Sequence, residues 1–236
     1  MLQIKHHFLD TNMILAIPFK NDYYHDCVEY YKLNYERYIS YNVEKEVFNV
    51  TGRLRLITID VFNHIKSYIT SRNIALIKID YHIQIIKNTY QNKFTDKDYV
   101  FGIKKEKFIS ITDELFITYY EEIKNTILNN DTNLDLLTLK SKNAFKEYNK
   151  SITNCMVNFE KFSFENNQTL IDKIVATGIH EKDAILVEDC FNKAKDMNEK
   201  FVFVTHDKDI IECSKDAFKL LNSKVYFSNP VSFLNN

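Results

Sequence analysis

Four carboxylates stand where a chain often does chemistry. The apolar run His7-Phe8-Leu9 breaks onto Asp10, followed by Thr11 and Asn12, and the run Phe201 to Val204 breaks onto Thr205-His206-Asp207-Lys208-Asp209. Both patterns read as a strand handing an acid to the start of a helix, and in an open parallel sheet ligands gather beyond the carboxyl ends of the strands. Glu46 lies in the first turns of a helical segment after a short strand at Tyr38-Ile39-Ser40, and Asp183 in the first turn of a helix that begins near His180. Four carboxylates converging on one cleft repel one another and rise in pKa unless a cation holds them. Oxygen ligands without a Cys or His requirement suit Mg²⁺ or Mn²⁺ rather than zinc. Two such ions about 4 Å apart can clamp the attacking and leaving oxygens of a phosphodiester, which is nuclease chemistry. Capping is the competing reading of Asp10, since Asp, Thr and Asn all cap helices well, and Glu44 competes with Glu46 from another face of the same helix.

The apolar pattern supplies the elements that must position these acids. Ile4 to Leu9 reads as the first strand, Thr11 to Ala16 as a short helix ended by Pro18, and Tyr23 to Tyr38 as an amphipathic helix through Tyr24, Val28 and Tyr31. From Asn42 the period is helical, with Val43, Val47 and Val50 on one face. Leu56 to Ile69, Ile74 to Ile86, Asp113 to Leu128 and Leu134 to Tyr148 carry apolar residues at helical or mixed spacing. Asp60 and Asp80 each follow an apolar run but lack a Thr-Asn pair, and read as surface acids. A helix at Leu170 to Ala176 stops at Gly178, and Val225-Tyr226-Phe227 is a last strand before the Pro230 to Leu234 tail.

Composition bounds the partners. The chain has 236 residues, 45% of them hydrophobic, enough for one large or two small domains with a full core, as in an ordinary soluble protein. A net charge of -1 gives no global basic field, so nucleic-acid contact would rest on local patches. Gly102 to Lys107 and the series Lys140, Lys142, Lys146 are modest clusters that read as solvated faces. Cys27, Cys155, Cys190 and Cys213 show no metal-site spacing and read as reduced thiols of a cytoplasmic protein. The run Met13 to Phe19 is too short for a signal peptide, and no run nears the roughly 20 apolar residues of a membrane span, so no membrane contact is expected.

The segments Asp10-Thr11-Asn12, Ser40 with Val43 and Glu46, Asp183-Ala184-Ile185-Leu186, Thr205 to Asp209 and Pro230 to Leu234, in that order, resemble the PIN-domain family, metal-dependent ribonucleases that include VapC-type toxins of toxin–antitoxin pairs. The resemblance covers roughly the first fifty and last seventy residues. It implies a three-layer α/β/α sandwich around a parallel sheet, in a single domain with its core from 1–52 and 169–236 and a mostly helical insertion at 53–168. It also implies an endoribonuclease that leaves a 5′-phosphate, with Asp10, Glu46, Asp183 and Asp207 as catalytic metal ligands for Mg²⁺ or Mn²⁺. Thr11, Asn12 and Thr205 would hold those carboxylates by hydrogen bonds, and Asp209 lies where some members carry a further acid. RNA is the implied substrate, with single-stranded DNA as the alternative, and an antitoxin-like protein partner and a homodimer stay open. The departure from the family is the middle, because Glu46 and Asp183 stand more than half the chain apart.

Other classes fit less well. A haloacid-dehalogenase-like phosphatase needs a second Asp where Asn12 stands. A Rossmann enzyme needs a G-x-G-x-x-G absent from a chain with three glycines. The stronger rival is a PIN-fold module that binds nucleic acid or protein without cutting. His206, beside Asp207, is expected to be exposed, and His180 to be a polar residue at a helix start.

Overall fold

The computed structural model describes residues 4–16, 25–71, 78–128 and 134–234. Strand β1 (His6–Leu9) is central to a parallel five-stranded sheet, flanked by β2 (Glu36–Ser40) on one side and, on the other, by the strand Phe201–Val204. The latter run, Phe-Val-Phe-Val, is buried at all four positions, as expected of a parallel strand covered on both faces. Phe8 lies opposite Phe203, and their rings stack at 5.4 Å. The two histidines of β1 are accommodated by partners. His6 stacks on Phe201 and pairs with Glu36 at 3.0 Å, while buried His7 meets the Tyr30 hydroxyl at 2.7 Å and is held down to a pKa of about 4, chiefly by burial.

The chain divides into two compact units, 1–49 with 148–236, and 50–147. In the first, α1 (Thr11–Leu15) follows β1, and α2 (His25–Tyr31) precedes β2. The expected helix from Tyr23 to Tyr38 is corrected here: it ends at Tyr31, and Glu36 to Tyr38 belong to β2. Pro18, Tyr23 and Tyr24 lie outside the described residues. α3 (Tyr41–Ser71) starts directly from β2 and runs without a break through the segment read as two helices.

The unit 50–147 has its own core, in which Ile57, Phe62, Tyr90 and Phe108 are buried. It contains α4 (Ile79–Asn92), a hairpin of β3 (Tyr99–Val100) and β4 (Ile103–Lys104), α5 (Lys105–Thr118), α6 (Tyr120–Leu128) and the start of α7 (Leu134–Met156). The positions 74–77 expected to open α4 lie outside the described residues. No helix of the described residues is long and apolar enough to cross a membrane.

The final stretch returns to the sheet. β5 (Glu160–Phe162), inside the segment read as insertion, pairs with β2 and forms one sheet edge. α8 (Gln168–Val175), α9 (Glu181–Asp196), β6 (Phe201–Val204), α10 (Lys208–Leu220), β7 (Val225–Ser228) and α11 (Val231–Leu234) follow. α9 buries Ala184, Val187, Cys190 and Ala194, and the same helix carries Asp183. Its approach depends on Gly178, whose φ of +103° is open to glycine and costly for other residues.

A Cβ at Gly178 would lie 2.8 Å from Cys213 Sγ on α10. Gly178→Ala should therefore lower stability by about 1–3 kcal/mol or more. Adding Cys213→Ala should recover only part, because the contact is relieved and the backbone conformation is not. Urea unfolding midpoints of the two variants check this.

Candidate functional site

The site grows from the ends of two neighbouring strands. The ladder between β1 and β6 continues one step, with Asp10 N–H donating to the Val204 carbonyl at 3.1 Å, and Thr205 N–H extends the pairing to Ser228 at 3.1 Å. This holds Asp10 and Thr205 side by side at the carboxyl edge. Neighbours lie on both sides of β1, so the chain reverses its order across the sheet here, where open α/β sheets form a crevice.

Asp10 is only 4% exposed, and three donors converge on its carboxylate. Oδ1 accepts the Thr11 amide at 2.6 Å, and Oδ2 accepts the Asn12 side-chain amide at 2.8 Å and the Thr205 hydroxyl at 2.6 Å. Asn12 also reaches the other strand end, its Nδ2 donating to Thr205 Oγ1 at 3.1 Å and its Oδ1 accepting the His206 amide at 3.2 Å. Thr205 Oγ1 in turn accepts the Asp207 amide at 2.9 Å. The Asp-Thr-Asn and Thr-His-Asp segments, far apart in sequence, are thus one hydrogen-bonded network. Asp10 occupies the N-cap position of α1, but its bonds go to the Thr11 amide, the Asn12 side chain and, across the sheet, to Thr205 just past β6. Asp207 is an ordinary cap of α10 through Asp209 N–H at 2.8 Å.

Thr11 links the second acid to the first, since its hydroxyl donates to Glu46 Oε2 at 2.7 Å. Glu44 turns elsewhere and is ion-paired with Lys161 at 2.6 Å, so Glu46 is the acid of α3 at this site. Asp183 completes the group from the first turn of α9. Burial, then the charge of Asp183, then that of Glu46 push Asp10 up to about 7, against the pull of its donors. Burial, then Asp207 and Glu46, push Asp183 up to about 6, while His180 and Lys182 oppose them. Asp10 thus feels Asp183 and Glu46, and Asp183 feels Asp207 and Glu46, so the four acids form one chain of repulsions. Among the described residues no lysine or arginine is ion-paired with any of them.

The donor chemistry fits a hard divalent cation: oxygen ligands only, and mutual repulsion that a cation would relieve. Among the described residues, no three His, Cys, Asp or Glu side chains form a group that could hold a metal ion. Asp209 is exposed and enters only through its backbone amide. His180 is an exposed residue at the N-cap of α9. The expectation that His206 is exposed is corrected: it is half-buried, with Nε2 2.8 Å from the Sγ of buried Cys27. Asp60 and Asp80 accept hydrogen bonds from Tyr90 and Tyr120 within the unit 50–147. Two buried acids of α9, Glu188 and Asp189, lie outside the sequence-derived candidates. Their signal was an acid pair set inside the run Leu186-Val187-Glu188-Asp189-Cys190-Phe191.

No protein-family model matches the chain, and no curated protein and no solved structure matches it.

The raised Asp10 value has a sign in stability. Between its ordinary 3.8 and about 7, the folded state holds a proton that the unfolded chain has released, so this contribution is complete below about 3.8 and is lost as pH rises toward 7. Asp10→Asn should remove it. The stability of the parent relative to Asp10→Asn should fall by roughly a few kcal/mol between pH 4 and 7 in metal-free buffer. Taking the difference between the two proteins cancels the opposite contribution of His7, and urea unfolding across that range checks it.

Proposed function

We propose that the chain is a Mg²⁺- or Mn²⁺-dependent endoribonuclease with a PIN-like, three-layer arrangement around its parallel sheet. The observation that carries this reading is the linked set of four acids, Asp10, Glu46, Asp183 and Asp207, that repel one another through Asp183 at the carboxyl edge of β1 and β6. Asp10 and Asp207 would hold the cation directly, with Glu46 and Asp183 completing its surroundings. When bound, the cations supply Lewis-acid stabilisation of the attacking and leaving oxygens of an in-line phosphodiester displacement. The chain's own residues keep the carboxylates in place: Asn12 and Thr205 fix both the position and the orientation of Asp10, and Thr11 fixes Glu46. Water adds across the P–O3′ bond, leaving a 5′-phosphate and a 3′-hydroxyl.

One observation favours a second reading, a module that binds nucleic acid without cutting it. Among the described residues no three His, Cys, Asp or Glu side chains form a group that could hold a metal ion. The two readings separate in a cleavage assay on single-stranded and structured RNAs and on single-stranded DNA, with Mn²⁺, Mg²⁺ or EDTA. Metal-dependent cutting of RNA is expected, and Asp10→Asn should reduce it at least about 100-fold, since even the outer partners of a metal site are worth roughly 10–100-fold. Equal cutting by parent and variant, or RNA binding with no cutting under any metal, would overturn the nuclease reading.

A further inference from the structure

We infer that Asp189 is a positioning residue of the acid site, holding the start of α3 so that Glu46 faces Asp183. This rests on the nuclease reading above. Asp189 lies in α9, the helix that supplies Asp183, and is 1% exposed. Its Oδ2 accepts the Asn42 side-chain amide at 2.9 Å. Ser40 is the last residue of β2, and Asn42 the second residue of α3. Ser40 Oγ accepts the Val43 amide at 3.3 Å and so caps α3 just before Asn42 reaches α9.

Asn42 and Glu46 are four residues apart in α3, neighbours on one helix face. A contact that fixes Asn42 therefore fixes the azimuth at which Glu46 is presented. Asp183 and Asp189 share one helix, so the contact sets Glu46 in the frame of Asp183 rather than in that of its own strand alone.

The cost of this arrangement argues that it has a use. Among the described residues Asp189 Oδ1 is buried with no hydrogen-bond partner, and a buried carboxyl with an idle oxygen is less stable than an apolar side chain of similar size. Val187 and Cys190 next to it show that α9 accommodates apolar residues at this depth. A helix selected only for packing would not keep an acid there.

The test compares the parent with Asp189→Leu, Asp189→Asn and Asn42→Ala in two measurements. The first is the Mn²⁺ concentration for half-maximal RNA cutting. The second is amide hydrogen exchange over 41–47 without metal. Asp189→Leu should raise the Mn²⁺ requirement by roughly 10-fold or more, in the range of other groups that orient metal ligands, and should speed exchange in the first turn of α3. Asn42→Ala should act in the same direction, and tests the contact even where Asp189→Leu does not fold. Asp189→Asn, which keeps an acceptor for Asn42, should stay within about 3-fold of the parent. Combined with Glu46→Gln, Asp189→Leu should add no further loss, because both act through the same side chain.

Unchanged exchange and metal requirement in Asp189→Leu and Asn42→Ala would overturn the inference. Faster exchange with an unchanged metal requirement, or losses that multiply with Glu46→Gln, would overturn it as well, reducing Asp189 to a structural role. A parent that cuts nothing with either metal would sink the nuclease reading and this role with it. A parent that cuts, beside an indifferent Asp189→Leu, would sink the role of Asp189 alone.

Discussion

Keeping one carboxylate almost out of water, without a cationic partner, constrains everything around Asp10. An anion in that position needs donors, and the chain provides a backbone amide, a side-chain amide and a hydroxyl from three different residues. The hydroxyl, from Thr205, is available only because β1 and β6 are neighbours in register, with Leu9 opposite Val204. The sheet order, the two strand-end motifs and the depth of the acid are thus aspects of one arrangement. Three hydrogen bonds do not cancel the loss of water, and the remaining discomfort is shared with Glu46 and Asp183, which stand close enough to be felt. A site of this kind favours a positive ion or a proton, and which it takes depends on what the solution offers.

The acids come from elements with different jobs. Asp10 and Asp207 follow strands, so the ladder fixes their backbones. Glu46 and Asp183 sit on helices, whose azimuth must be fixed by packing. α9 does this with an unusual amount of buried charge. Glu188 accepts the Asn167 amide at 2.9 Å and the Asn192 side chain at 3.0 Å, and buried Lys193 pairs with Glu160 at 2.6 Å under the rings of Tyr38 and Phe162. Polar contacts of this sort are directional where apolar contacts are not, so they specify rotation as well as depth.

The sequence makes the strand-end acids legible because an apolar run that stops at Asp, Thr and Asn has few structural meanings. The endings of β1 and β6 and the glycine stop before α9 show through for that reason. β5 does not, because three residues reading Glu-Lys-Phe carry too little apolar signal, and their pairing is decided by β2 beside them. The helix expected up to Tyr38 ends at Tyr31 because tyrosines at helical spacing serve a strand equally well once a sheet edge is available. The Glu44 and Glu46 alternatives are separable only by Lys161, more than a hundred residues away. His206 is drawn inward by Cys27, a long-range contact with no local trace. Asp189 was hidden because an acid in a helix is ordinarily a surface residue.

β5 also bears on how copies of the chain can meet. It is a sheet edge of three residues, and its first two, Glu160 and Lys161, are exposed in the backbone pattern yet drawn by their charges to Lys193 and Glu44. An edge strand that is short and charged is a poor template for another strand. A second strand added here would gain very few backbone bonds beside two charged side chains. A short, charged edge of this kind disfavours strand-to-strand pairing between copies through β5, whatever other surface a second copy could use.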